Sequence, residues 1–151
     1  MSRGSRGRPG TMIVVVDDDN DIREAVCEVL RNEGYQAVEA SNGREAIELL
    51  HGFGDRPQLI LLDLMMPVMD GWEFLMGIDE DPAIPFIPVA LMSAHPSVRR
   101  AFEKDDAEGT AKRLLLPKPL DLHRLLSIVE DVCDSTVRSH EVQQPATPRP
   151  G

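Results

Sequence analysis

Aspartate occurs three times in succession at Asp17-Asp18-Asp19, directly after the apolar run Met12–Val16, and again at Asp63, directly after the apolar run Leu59–Leu62. Brought together, such carboxylates repel: two unit charges ~4 Å apart oppose each other by roughly 4 kcal/mol at an effective dielectric of 20. A divalent cation relieves that repulsion. Carboxylate oxygens, a backbone carbonyl and retained waters are the ligand set of Mg²⁺, while zinc is disfavoured because the chain has no Cys/His ligand set. Not every acid need be chemical. Asp19, with Asp21 behind it, reads as a helix cap, since an acid in the first turn meets the positive end of the helix dipole. Asp17 and Asp18, at the tip of an apolar strand, read as the site.

The elements that must position these residues follow from alternation along the chain. Short apolar runs alternate with amphipathic stretches, as expected for repeated strand–helix units and a parallel sheet. Met12–Val16 is too short for a helix and apolar on both faces, as a buried parallel strand must be. Ile22, Val26, Val29 and Leu30 then share one face of a helix from Asn20 to Arg31, and Gly34 supplies its stop. Tyr35–Glu39 is a half-polar strand suited to a sheet edge, and Ser41 or Asn42 caps a helix to about Leu50 with Ala46, Ile47 and Leu50 inward. The third strand is Leu59–Leu62. After the loop LMMPVMDG, where Asp70-Gly71 makes a turn, comes a short helix over Gly71–Ile78. Phe86–Met92 reads as the fourth strand, ending at Ser93, and Pro96 opens a helix to about Asp105. Leu114–Leu116 is the fifth strand, and Asp121 caps a last helix from Leu122 to about Cys133. In an open parallel sheet ligands bind beyond the carboxyl ends of the strands where strand order reverses; if the first and third strands are neighbours there, Asp17, Asp18 and Asp63 share one pocket.

The 151 residues, 42% apolar and 28% charged with net charge −10, match one domain and exclude a large multidomain enzyme. Residues 1–11 carry three Arg and no acid, and residues 134–151 carry two acids and two Arg, so the 122 residues between them hold −13. That acidity argues against a broad nucleic-acid surface. Residues 1–10 read as a disordered leader, 11–133 as the folded domain and 134–151 as a loose Pro-rich tail. No apolar stretch reaches the ~18 residues of a membrane span. Cys27 and Cys133 lie in apolar helical patterns with no signal peptide before them, so they read as reduced packing residues of a cytoplasmic protein. His51 and His140, lacking partners in the pattern, read as solvent-facing, and most of the seven Met as core filling. Trp72 reads as packing or a partly exposed rim.

The motifs VVVDDD, LILLDLMMPVMDG, ALMSAH and LLLPKPLD, in this order at strand ends, resemble the receiver domain of two-component response regulators over about residues 11–133. The resemblance implies a (βα)5 doubly wound α/β fold of flavodoxin type with strand order 2-1-3-4-5. It implies Asp63 as phosphoacceptor, Asp17, Asp18, Asp63 and the backbone carbonyl of Met65 as Mg²⁺ ligands, Ser93 as switch hydroxyl, Lys118 as phosphate contact, and a cis bond before Pro119. The chemistry is compatible: a carboxylate can attack phosphorus, and phosphoryl transfer needs mainly positioning and neutralisation of oxygen charge. Three positions depart from the family. Leu115 stands where an aromatic usually couples the switch. Met65 and His95 stand where family members tune phosphoryl lifetime, and a bulky apolar Met65 implies a longer one by excluding water.

The expected function is therefore a phosphorylation-controlled switch, not an enzyme, fed by a sensor histidine kinase or phosphotransfer protein. With 18 residues after Cys133, a stand-alone receiver is expected, acting as monomer or weak homodimer. Output would pass to a protein target through the face formed by the Pro96–Asp105 helix, the fifth strand and the last helix, without direct DNA binding or membrane association. Two alternatives stay open: a metal-dependent phosphatase or phosphotransferase with an Asp nucleophile, disfavoured because Met65 replaces the acid/base Asp of such enzymes, and a non-phosphorylated receiver that only binds a partner.

Overall fold

A computed structural model describes residues 11–52, 57–66, 69–93 and 113–143. The expected leader, the Pro96–Asp105 helix, His95 and the last eight residues lie outside them. The described elements are β1 (Met12–Val16), α1 (Asn20–Asn32), β2 (Gln36–Ala40), α2 (Gly43–Gly52), β3 (Leu59–Asp63), α3 (Gly71–Glu80), β4 (Val89–Ser93), β5 (Arg113–Pro117) and α4 (Leu122–Gln143). All four strand pairings are parallel, in the order β2-β1-β3-β4-β5. β1 and β3 are neighbours, with Val16 opposite Leu62, so the acids that follow these strands emerge side by side.

The continuous apolarity of the strands is used twice. Because successive side chains point to opposite faces, Val14, Val16, Ile60 and Leu62 pack with Ala46 of α2 and Phe74, Leu75 and Ile78 of α3. Ile13, Val15, Leu59 and Leu61 pack on the other face with Val26, Cys27 and Leu30 of α1 and Leu125, Val129 and Cys133 of α4. Each fully buried aliphatic side chain is worth roughly 1.5–3 kcal/mol relative to exposure, and both layers are needed to hold the strand ends in place. Cys27 and Cys133 are free thiols in this packing, and burial, with the charge of Glu39, pushes the Cys27 thiol up to about 11, so it remains protonated at neutral pH.

Helix boundaries follow local chemistry. Asp19 accepts the N–H groups of Asp21 and Ile22 and caps α1 as expected. Gly34 ends that helix at φ 96°, a region that glycine enters without the Cβ penalty. Tyr35 belongs to the termination: its N–H bonds to the Leu30 carbonyl, so β2 starts one residue later than its composition suggested, though at the sheet edge as expected. Two corrections are larger. β4 begins at Val89 and not at Phe86, whose side chain is exposed, because Pro85 and Pro88 lack the N–H a central strand must donate. α4 continues ten residues past Cys133 to Gln143, so residues 134–143 are helical and not part of a loose tail. The stretch 134–143 holds neither Gly nor Pro, and the first breaker is Pro145.

Candidate functional site

Four strands end at one edge of the sheet, and each delivers a polar residue there. Asp17 directly follows β1, and its N–H continues the ladder to the Ala40 carbonyl of β2 at 3.1 Å. Asp63 is the last residue of β3 and Ser93 the last of β4. Lys118 follows β5 and donates its backbone N–H to the Ser93 carbonyl at 3.0 Å. Asp17, Asp63 and Ser93 are the buried polar residues among those described.

Lys118, 101 positions along the chain from Asp17, sets its Nζ 3.3 Å from Asp17 Oδ2 and 3.5 Å from Asp63 Oδ1. Asp17 Oδ1 accepts the Asp19 N–H at 2.9 Å, and Asp63 Oδ1 accepts the Met65 N–H at 3.2 Å. Asp18 is exposed, yet carboxylate oxygens of Asp17, Asp18 and Asp63 lie within 4.8 Å of one another. The Lys118 ammonium thus pairs with two of the three clustered carboxylates. Burial, and then the charge of Asp17, push the Asp63 carboxyl up to about 6, against the downward pull of Lys118 and the Met65 N–H.

The donor set fits a hard divalent cation: closely spaced carboxylate oxygens, no soft ligand, and one open side at the exposed Asp18. Asp17, Asp18, Asp63, Ser93 and Lys118, selected by motif, are thereby all found at the same carboxyl edge. Met65 occupies the adjoining loop with its side chain 64% exposed, so it stands at the rim and not as core filling; Met66, beside it, is buried. The Lys118–Pro119 bond is cis, as the resemblance implied. Asp70 caps α3 by accepting the Glu73 N–H, while the Glu73 side chain accepts the Asp70 N–H. Trp72 is partly exposed.

The contacts of two residues escaped the sequence reading. Arg23 donates from Nη1 to the Asp17 carbonyl at 2.8 Å and from Nε to Glu39 Oε1 at 3.0 Å. An arginine one turn into the helix behind the aspartate run was the available signal. His51, read as without a partner, lies with Nε2 2.7 Å from Asp81 Oδ2, because the ends of α2 and α3 meet.

The family model described as the response regulator receiver domain matches residues 13–130. The response regulator MprA of Mycolicibacterium vanbaalenii is 36% identical over 118 residues, 76% of this chain; the chain spans about half of that relative's length, 47%. The two-component response regulator ORR5 of Oryza sativa subsp. japonica is 32% identical over 129 residues, 85% of this chain and 95% of its own length. Among solved structures, the chemotaxis protein CheY4 of Vibrio cholerae superposes with a TM-score of 0.68 at 28% identity, covering 81% of this chain and 98% of CheY4. No described helix is long and apolar enough to cross a membrane. Fold order, the convergent acids and these likenesses agree, and the chain belongs to the response regulator receiver domain family of two-component signalling.

Proposed function

We propose that the domain accepts a phosphoryl group on Asp63 from a His-phosphorylated kinase or phosphotransfer protein and thereby switches a protein-binding surface. The observation that carries this reading is the convergence of Asp17, Asp18, Asp63 and Lys118 from separate strand ends. A carboxylate oxygen of Asp63 attacks phosphorus, the bond from phosphorus to the donor imidazole nitrogen breaks, and the electron pair leaves with that nitrogen. Asp17, Asp18, Asp63 and the Met65 carbonyl would hold Mg²⁺, which when bound supplies positive charge for the transferring oxygens. Lys118 adds a second positive charge, and by this reading the Ser93 hydroxyl donates to a phosphoryl oxygen.

The new group adds about −1.5 to −2 charges and three strong acceptors. Ser93 pairs with Pro117 in register and Lys118 is bonded to the Ser93 carbonyl, so movement of either is felt along β5 at the sheet edge. We place the output on this side, through β5 and α4. Leu115 packs partly buried in the α2–α3 layer and lacks an aromatic ring to swing, so the output displacement is expected to be small. The acidity of residues 12–133 favours a protein target over a nucleic acid.

Incubation of the full chain with acetyl phosphate and Mg²⁺ tests the reading. One acid-stable, base-labile phosphoryl group per chain, absent in Asp63→Asn and in the presence of chelator, is the expected result. Continuous phosphate release would mark an enzyme, absence of any adduct a binding module, and an adduct kept by Asp63→Asn would move the acceptor elsewhere.

A further inference from the structure

The peptide joining Asp17 to Asp18 carries the two acids of the cluster that precede the Asp19 cap of α1, and its orientation decides where they point. That peptide is gripped from outside the acidic pocket. Arg23 is only 12% exposed, and each nitrogen of its guanidinium donates a bond: Nη1 to the Asp17 carbonyl at 2.8 Å, Nε to Glu39 Oε1 at 3.0 Å, and Nη2 to Asn20 Oδ1 at 2.7 Å. Glu39, on β2, is braced in turn by Arg31, whose Nη2 lies 3.6 Å from Glu39 Oε2 and donates to the Ala37 carbonyl at 2.7 Å. The carbonyl end of Asp17 is therefore tied to α1 and β2, while its N–H is held by Ala40 and its Oδ1 by the Asp19 N–H.

We propose that Arg23, braced by Glu39, is a positioning residue that orients the Asp17–Asp18 peptide and so sets how tightly the acidic pocket holds a divalent cation. The proposal rests on the metal-binding part of the reading above. Two physical effects of Arg23 have opposite sign. Its positive charge, near the pocket, repels an incoming cation, and on that ground alone its removal would tighten binding. Its fixed, multidentate fork holds the ligands in place, and on that ground its removal loosens binding. Three donors bonded to a backbone carbonyl, a carboxylate and an amide oxygen make the second effect the larger.

Titration calorimetry of the full chain with MgCl₂ alone, beside melting curves in chelator to confirm folding, distinguishes the two. Arg23→Gln and Arg23→Lys are both expected to bind Mg²⁺ about tenfold more weakly, the lower end of what loss of an outer supporting group does to metal affinity. Lysine fails despite its charge because it lacks the fork. Glu39→Ala is expected to weaken binding by less, and Glu39→Gln, which keeps the accepting oxygen, to remain close to the parent chain. Folded Arg23→Gln or Arg23→Lys chains that bind Mg²⁺ as tightly as the parent, or more tightly, overturn the positioning role and leave the metal site standing. If Arg23→Gln does not fold, Arg23→Lys and Glu39→Ala decide by the same criterion. No Mg²⁺ binding by the parent chain overturns both.

Discussion

The same side chain leads two different lives in this domain. Asp19, Asp70 and Asp121 begin helices, where each accepts backbone N–H groups that would otherwise have no partner. Asp17 and Asp63 end strands, buried against one another with a single ammonium between them. The capping acids stabilise the elements they start. The strand-end acids are held in an electrostatically poor arrangement that only the surrounding sheet imposes, and tension of that kind, in a cleft, is characteristic of functional groups.

Removing the ammonium should disturb the strand-end pair most. Lys118→Ala is expected to leave a folded domain but slow phosphorylation of Asp63 by acetyl phosphate by about a hundredfold or more, the usual loss when one preorganised electrostatic contact is deleted. Stopped-time labelling at saturating Mg²⁺ reads this directly, and a rate within a factor of about 3 of the parent, ~0.6 kcal/mol, would mean that the contacts at 3.3 and 3.5 Å are structural only.

The next effect is on stability, and its sign differs from that of most carboxylates. The Asp63 carboxyl is pushed from an ordinary 3.8 to about 6 in the fold. A raised folded value means that the native state binds the proton more tightly, so the stabilisation by protonation is complete below the unfolded value and lost as pH rises through about 6. The shift alone corresponds to about 3 kcal/mol, of order 1–2 kcal/mol once water at the open rim screens it. In chelator at pH 7, Asp63→Asn should therefore be the more stable chain by urea unfolding, with the difference closing near pH 4. Equal stability at both pH values would remove the contrast between the two kinds of aspartate.

How far this contrast could be read in advance depends on where each signal resides. Asp17, Asp63, Ser93 and Lys118 were legible because each interrupts or follows an apolar run, and a parallel sheet brings all strand ends to one edge. The caps at Asp19 and Asp121 were legible because capping is local. Phe86 and Ile87 mislead because their apolarity masks the missing N–H of Pro85 and Pro88. Arg23 and Glu39 stand 16 positions apart on different elements, and charged residues in such patterns look like solvated faces until the packing of α1 beside β2 brings them together. The length of α4 was hidden by ending the helix where the apolar stripe fades, although the first breaker comes later.

A capping acid provides the complementary test. Asp70→Ala removes one half of a reciprocal pair with Glu73 at the start of α3 and should destabilise the domain by about 1 kcal/mol. Since the hydrogen bonds of Asp70 run to Glu73 and not to the strand-end acids, and act on helix formation, phosphorylation of the folded variant should proceed at the parent rate; a large loss of rate with an unchanged urea midpoint would place Asp70 in the site instead.

The smallest effect belongs to Asp81, an acid whose partner is a side chain. Hydrogen bonds from His51 and then from the Ala83 N–H hold its carboxyl below the ordinary 3.8. A lowered folded value has the opposite sense to Asp63: the contribution is present above the unfolded value and lost as pH falls through the folded one. The pair is exposed to water and screened by salt, so His51→Ala should move the urea midpoint at neutral pH only at the edge of detection. Its difference from the parent should shrink further in acid, whereas the Asp63→Asn difference at pH 7 stands well clear of error. A loss for His51→Ala comparable to that for Asp70→Ala would show that a side-chain partner can anchor an exposed acid as firmly as a helix start does, and the division between the two classes of aspartate would then rest on burial alone.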